Sequence, residues 1–227
     1  MNIDKSVKKA IDSDWLNEFP QWSSYGVNRY YKIIGPVLAG VELIRLRGGD
    51  EYRPHFTIYP LWKKDINDCF NYPIVMYEFH NERNLQFSIK YLRHAVYFEE
   101  MVKNVKAQIP GILEGNIQLN AVLNFFDEYA RTPPLSAALN SFLQAELKAD
   151  KLAIALYISQ EEARKVFFDI TQQDWDLQHF KACGIDINKW LHELQDRINN
   201  REAFLRQIIT NTNHKKLVKL KRSELIL

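Results

Sequence analysis

Tyr52, Arg53, His55, Glu78 and His80 are the side chains whose types and placement best suit chemistry. An imidazole base, a carboxylate and a guanidinium on two neighbouring extended segments would set a proton shuttle beside a cation, the combination a hydrolase needs. The same residues also satisfy a plainer arrangement. Arg53 and Glu78 can form a cross-strand ion pair, with both histidines half-buried on a sheet. They are therefore taken as a binding surface, with a hydrolytic site near His55 and His80 as the alternative.

Other chemical patterns fail on spacing. The histidines at 55, 80, 94, 179, 192 and 214 are never closer than 13 residues apart, so no pair has the short local spacing of a metal site. His192-Glu193 begins like a zinc-protease motif, but the second histidine is replaced by Asp196. Gly35 and Gly40 have the gap of a phosphate-binding loop, yet Val41 and Glu42 stand where lysine and a hydroxyl are required. No Gly-x-Ser-x-Gly elbow occurs. Cys69 and Cys183 carry no nucleophile signature and read as free thiols of a reducing compartment. No metal or cofactor is expected.

Two further surfaces invite a partner. Trp15, Phe19, Trp22 and Tyr25 either cover a sheet or form an exposed aromatic patch of the kind enriched at interfaces. Residues 201–227 hold seven Lys/Arg against two Asp/Glu, so the C-terminal tail is basic while the rest of the chain is slightly acidic. Lys215, Lys216, Lys219, Lys221 and Arg222 suit contact with nucleic acid. No aromatic lies among them to stack on a base, and a tail docked on its own body fits equally.

The elements that hold these residues follow from punctuation and period. All eight prolines lie at or before Pro134, and beyond Gly115 only Gly184 remains, so the second half is free to form helices. Aromatic residues crowd the first half, as a pleated surface prefers. Val37 to Leu46 and Tyr52 to Leu61 are read as a hairpin turning at Arg47-Gly48-Gly49-Asp50, with the glycines supplying positive φ. Pro54 and Pro60 place the returning strand at an edge or make it irregular. A second hairpin is read in Ile74 to His80 and Leu85 to Tyr91, turning at Asn81 to Asn84.

After Leu92 the period becomes helical through Ala95, Phe98, Val102, Val105 and Ile109. Further helices are read near Ile117 to Tyr129, on Leu135, Ala138, Leu139, Phe142 and Leu143, after the capping box at Ser159, and in a long final helix capped by Asp186 or Asn188 with Leu191, Leu194, Ile198, Leu205 and Ile208 as its apolar stripe. Leu152 to Ile158 leans towards helix. Gly184 closes a short helix holding Trp175 and Phe180, and Glu193–Arg197 and Glu202–Arg206 make surface pairs.

The expected fold is α+β: an antiparallel sheet of about four strands packed on one face against helices, its other face wet. Residues 1–110 carry the sheet and 111–227 the helical region, packed together as one unit. No signal-peptide core and no membrane-length apolar run is present, so a cytoplasmic location is expected. With no chemical motif, the expected function is a non-enzymatic intracellular module that binds another protein, of the immunity or antitoxin kind. Nucleic-acid binding through the tail is the alternative.

Overall fold

The computed structural model describes residues 3–46 and 49–227. Its fold is α+β, an N-terminal antiparallel sheet followed by a mostly helical second half. Helix α1 (Lys5–Glu18), capped by the Asp4 carboxylate, leads into β1 (Ser23–Ser24), β2 (Arg29–Ile34), β3 (Val37–Arg45), β4 (Glu51–Pro60), the short α2 (Ile66–Cys69) and β5 (Val75–Glu78). These five strands lie in chain order, each antiparallel to the next. Then come β6 (Ile89–Lys90), α3 (His94–Gln108), β7 (Ile117–Gln118), α4 (Leu119–Ala130), α5 (Phe142–Ile158), α6 (Gln160–Thr171), α7 (Leu177–Ala182), α8 (Ile187–Asn199) and α9 (Arg201–Thr212). The chain ends in β8 (Arg222–Ser223) and β9 (Leu225–Ile226).

The β3–β4 hairpin forms as the sequence suggests. Its turn, read at Arg47-Gly48-Gly49-Asp50, falls in part on Arg47 and Gly48, which lie outside the described residues. The hairpin ahead of it, β2–β3, was not expected: Gly35 at φ +50° and Pro36 make a two-residue turn that pairs Ile34 with Val37. Gly40 faces Tyr31 across this hairpin, and a side chain there would strike the Tyr30 carbonyl and the Tyr31 ring.

The prolines do not place β4 at an edge. Strand β4 is central, with β3 on one side and β5 and β6 on the other. Leu43 donates its N–H away from β4, to the Asn28 carbonyl, so the Leu43–Pro54 pair is a non-hydrogen-bonded one. The Pro54 nitrogen then faces the side where β6 pairs only as far as Tyr52 and β5 begins only at His55. Pro60 faces the same side, past the end of β5. Neither proline removes a ladder bond.

The second hairpin is split. The turn at Asn81 forms, with the Asn81 Oδ1 accepting from the Arg83 and Leu85 N–H groups. Only one bridge, His80 with Gln86, joins the two arms, and both then pair with β4 at different points.

One face of the sheet is buried and the other is covered in part, where the expectation left it wet. One face joins α1, α3, α4 and α5 in the main apolar cluster, which runs from Ile3 to Leu225 and draws on both halves of the chain. Trp15, Trp22 and Tyr52 are almost wholly buried in it. The other face is partly covered by α2 and residues 217–220, with Leu217 and Leu220 packed on Tyr31, Leu38 and Tyr59. Burying those leucines against β2 and β4 leaves only the Arg29 end of that face polar.

Among the helices, α3 buries His94 where the stripe predicted Ala95, which is exposed. Residues 135–137 form a single 3-10 turn, and the next helix begins at Phe142, capped by Ser141, so Leu139 and Leu143 are exposed instead of forming its buried stripe. Leu152 to Ile158 is the buried end of α5, and Ser159 caps α6 as its capping box implied. Gly184, at φ +73°, follows α7, which holds Phe180, while Trp175 precedes the helix.

The long final helix is two. Asn200 takes a non-helical φ/ψ of −100°/34°, while its side-chain amide bonds back to the Asp196 carbonyl, so α8 stops there. Glu193 pairs with Lys189 and not with Arg197, while Glu202–Arg206 pairs at 3.6 Å. No helix among the described residues is long and apolar enough to cross a membrane.

Candidate functional site

Strand register assembles part of the cluster read from the sequence. Arg29, Glu42, His55 and Glu78 occupy one row across β2, β3, β4 and β5, all on the second face of the sheet. Arg29 Nε lies 3.5 Å from Glu42, and His55 Nε2 lies 3.6 Å from Glu78. Arg53, one row over, donates from Nη1 to the Gln86 Oε1 at 2.7 Å. It does not pair with Glu78. Tyr52 points to the opposite face, because neighbours along a strand alternate. His80 is held through its backbone, its N–H donating to the Gln108 Oε1 and its carbonyl accepting from the Gln108 Nε2.

This row is a closed network. The Arg53 carbonyl lies 3.1 Å from His55 Nδ1, which must carry the proton because a carbonyl only accepts. The Nε2 lone pair then faces the Gln86 amide at 3.4 Å, so the ring has no free basic nitrogen to offer a substrate. Glu42, buried inside β3, accepts from the Tyr59 hydroxyl at 2.7 Å, from the Tyr31 hydroxyl and from Thr57 at 3.4 Å. All three bonds fall on Oε1, while Oε2 faces Arg29 at 3.5 Å. Burial, together with the Glu42 charge beside them, pushes the Tyr31 and Tyr59 hydroxyls well above the usual range, so both remain donors. In the sequence Glu42 enters only as the residue that spoils a phosphate-binding loop, although a charge inside the apolar run Val37 to Leu43 is itself a signal.

Neither thiol is paired with a free base. Cys69 is buried, and burial pushes its thiol up to about 11. Cys183 is exposed and its Sγ lies 3.7 Å from His179 Nδ1. That nitrogen already accepts the Phe142 N–H at 3.2 Å. Its lone pair is engaged. Among the described residues, no group of three His, Cys, Asp or Glu side chains is arranged to hold a metal.

The basic tail is folded onto the body. Lys216 Nζ donates to the Asn67 Oδ1 at 2.9 Å, Lys221 Nζ to the Pro20 carbonyl, and Arg222 Nη2 to the Thr212 carbonyl at 3.0 Å. Strand β8 pairs parallel with β2, and β9 with β7. Lys215 and Lys219 are exposed.

The β5 edge of the sheet offers little room for a docked strand. The Met76 N–H donates to the Tyr129 hydroxyl at 3.2 Å, and Gln108 occupies the backbone of His80, so the β5 edge is blocked by side chains.

A surface suited to a partner lies beside that edge. A groove of about 390 Å³ runs between the 70–74 loop, the 3-10 turn at 135–137 and the first turns of α5. Ile74, Tyr129, Leu135 and Leu147 line it with apolar surface. Tyr72, 83% exposed, and Leu143, 50% exposed, stand over it. Asp68, Glu146 and Asp150 line it as well, against one cation, Lys63.

Asp150 is half-buried and makes no hydrogen bond or ion pair. Burial pushes its carboxyl up to about 7, Glu146 adding to the shift while Lys63 and Arg197 oppose it. None of these groove residues stood out in the sequence as a site: Leu143 read as part of a buried helical stripe, and Asp150 drew no reading. The legible sign was a carboxylate between two buried positions of a helix, Ala149 and Leu152.

No family model, curated protein or solved structure matches this chain.

Proposed function

We propose that this chain is a non-enzymatic module that binds another protein through the groove between the 70–74 loop and α5. One observation carries this reading: Tyr72 and Leu143 are held in the open over an apolar groove whose charged lining is mainly acidic. Large apolar side chains left in water cost solvation free energy that a partner recovers on docking. Tyrosine is also among the residues enriched at interface hot spots. The hydrolase alternative loses support because His55 has both ring nitrogens, and Glu42 its Oε1, engaged within the sheet. In addition, the grooves of about 800, 450 and 390 Å³ are lined by other residues. Nucleic-acid binding loses support because Lys216, Lys221 and Arg222 are tied to the body. A masking factor of the immunity or antitoxin kind is the class we favour, placed in the cytoplasm, where the free thiols Cys69 and Cys183 stay reduced.

The test is affinity capture from an extract of the source cells with the full chain and with a Tyr72→Ala/Leu143→Glu double variant. Both positions are exposed, so the variant keeps its melting temperature. The expected result is one stoichiometric protein retained by the natural chain and released by the variant. Equal retention by both, or no stoichiometric protein on either, counts against the reading.

A further inference from the structure

We infer that the groove recognises a basic side chain of its partner, an arginine or lysine flanked by apolar residues, and that Asp150 is the residue that selects it. The inference rests on the binding reading above and deepens it. Three features of the groove converge on a cation. Its charged lining is Asp68, Glu146 and Asp150 against Lys63 alone, so a positive group gains Coulomb energy on entry. Asp150 is half-buried without a hydrogen-bond partner, its loss of water offset only in part by the charges of Lys63 and Arg197. A guanidinium or ammonium group reaching it supplies the missing donors. Tyr72 and Tyr129 add aromatic surface to the same groove, along which the stem of a long basic side chain can lie.

The opposite occupant, an acidic or purely apolar segment, fits badly. An acidic segment meets three carboxylates, and an apolar one covers Asp150 without supplying it a hydrogen-bond donor.

The groups facing Asp150 give the interaction a pH dependence. Lys63 comes from the loop before α2, Glu146 from one turn earlier on α5 and Arg197 from α8, while Asp68 lines the same groove. The two cations hold the carboxyl down less than burial and Glu146 raise it, and it stands at about 7. Cation binding needs the ionised form. The ionised share of such a group falls about tenfold between pH 8 and pH 6, and affinity for a basic side chain falls with it.

The test uses the full chain and two small probes, Nα-acetyl-leucyl-arginine amide and Nα-acetyl-leucyl-citrulline amide. They have nearly the same shape, but only the first is charged. Binding is followed by NMR at Tyr72, Leu143 and the Asp150 carboxyl. At pH 8 the arginine probe is expected to bind about fivefold or more tighter than the citrulline probe. The preference is expected to vanish at pH 6 and in Asp150→Asn, whose fold is checked from its spectrum. Equal binding of both probes in the groove, or a preference that survives at pH 6, overturns the role of Asp150 and leaves the docking groove standing. If neither probe perturbs the groove, the inference is overturned, and the capture experiment with the Tyr72/Leu143 variant decides the docking reading separately.

Discussion

His94 Nε2 lies 3.2 Å from the Asp14 carboxylate, while its Nδ1 receives the Tyr52 hydroxyl at 2.6 Å. Asp14 only accepts, so the ring proton sits on Nε2 and the neutral imidazole joins α1, β4 and α3. Burial lowers the His94 pKa, with Asp14 opposing the shift. A histidine depressed in the folded state binds fewer protons there than in the unfolded chain. Its contribution is therefore intact above about pH 6.5 and is lost as the pH falls below it. Chemical denaturation at pH 7.5 and pH 5.5 should show a loss on acidification that His94→Gln makes smaller; an unchanged pH slope in the variant rejects this assignment.

Arg201 binds the far end of a different helix. Its Nε donates to the Leu156 carbonyl at 2.7 Å, and Nη2 to those of Tyr157 and Ile158 at 2.6 and 2.8 Å. These carbonyls close α5 and have no partner within it. Arg201→Met should cost about 2–4 kcal/mol in urea unfolding, since three acceptors lose a charged donor. Arg201→Lys should recover little of it, because one ammonium cannot span a fork. Full recovery by lysine would show that charge alone mattered.

The division into a ribbon half and a coiled half was legible because proline and glycine placement is a local constraint. Long-range pairing was not. Pro54 looked like an edge marker, yet the gap it requires is made by β5 and β6, whose positions depend on a chain segment more than twenty residues away. The strand Arg29–Ile34 was overlooked although Tyr30, Tyr31, Ile33 and Ile34 have strand character, because Gly35-Pro36 was weighed as a phosphate loop and not as a turn. Of the cluster read as a site, register delivered Arg53, His55 and Glu78 to one face and sent Tyr52 to the core. Trp15 and Trp22 likewise proved to be core and not an exposed patch. The groove was invisible because its walls come from residues 63–74 and 129–150, and no periodicity within either segment reports their approach.

Asp150 should also register in stability. Its folded pKa of about 7 stands above the ordinary 3.8, so the folded chain binds more protons than the unfolded one between these values. Stability from this group is then present at low pH and is lost as the pH rises towards 7. Asp150→Asn removes the ionisation and, at pH 8, should raise stability by about 2 kcal/mol, a figure discounted for the partial exposure of the site. At pH 4 the two proteins should unfold alike. A variant less stable at pH 8 would mean that the carboxylate has a partner in the folded chain.

The C-terminal segment should behave as structure and not as a detachable arm. Leu217 and Leu220 fill the second apolar cluster and Leu225 the first, each worth about 2 kcal/mol on burial. Removing residues 213–227 also deprives Lys32 Nζ of the Ser223 hydroxyl and leaves it the Leu113 carbonyl alone, in a setting where burial already lowers its pKa to about 8. The summed loss of roughly 6 kcal/mol is comparable with the whole stability of a domain, so truncation should give a chain without a cooperative thermal transition. Truncation therefore cannot separate nucleic-acid binding from unfolding. The exposed Lys215 and Lys219 can: Lys215→Glu/Lys219→Glu should leave the melting temperature unchanged. Salt-sensitive retention on DNA or RNA that disappears in this double variant would restore the tail as an electrostatic contact, whereas retention that is absent, or unaffected by it, leaves the segment with a packing role.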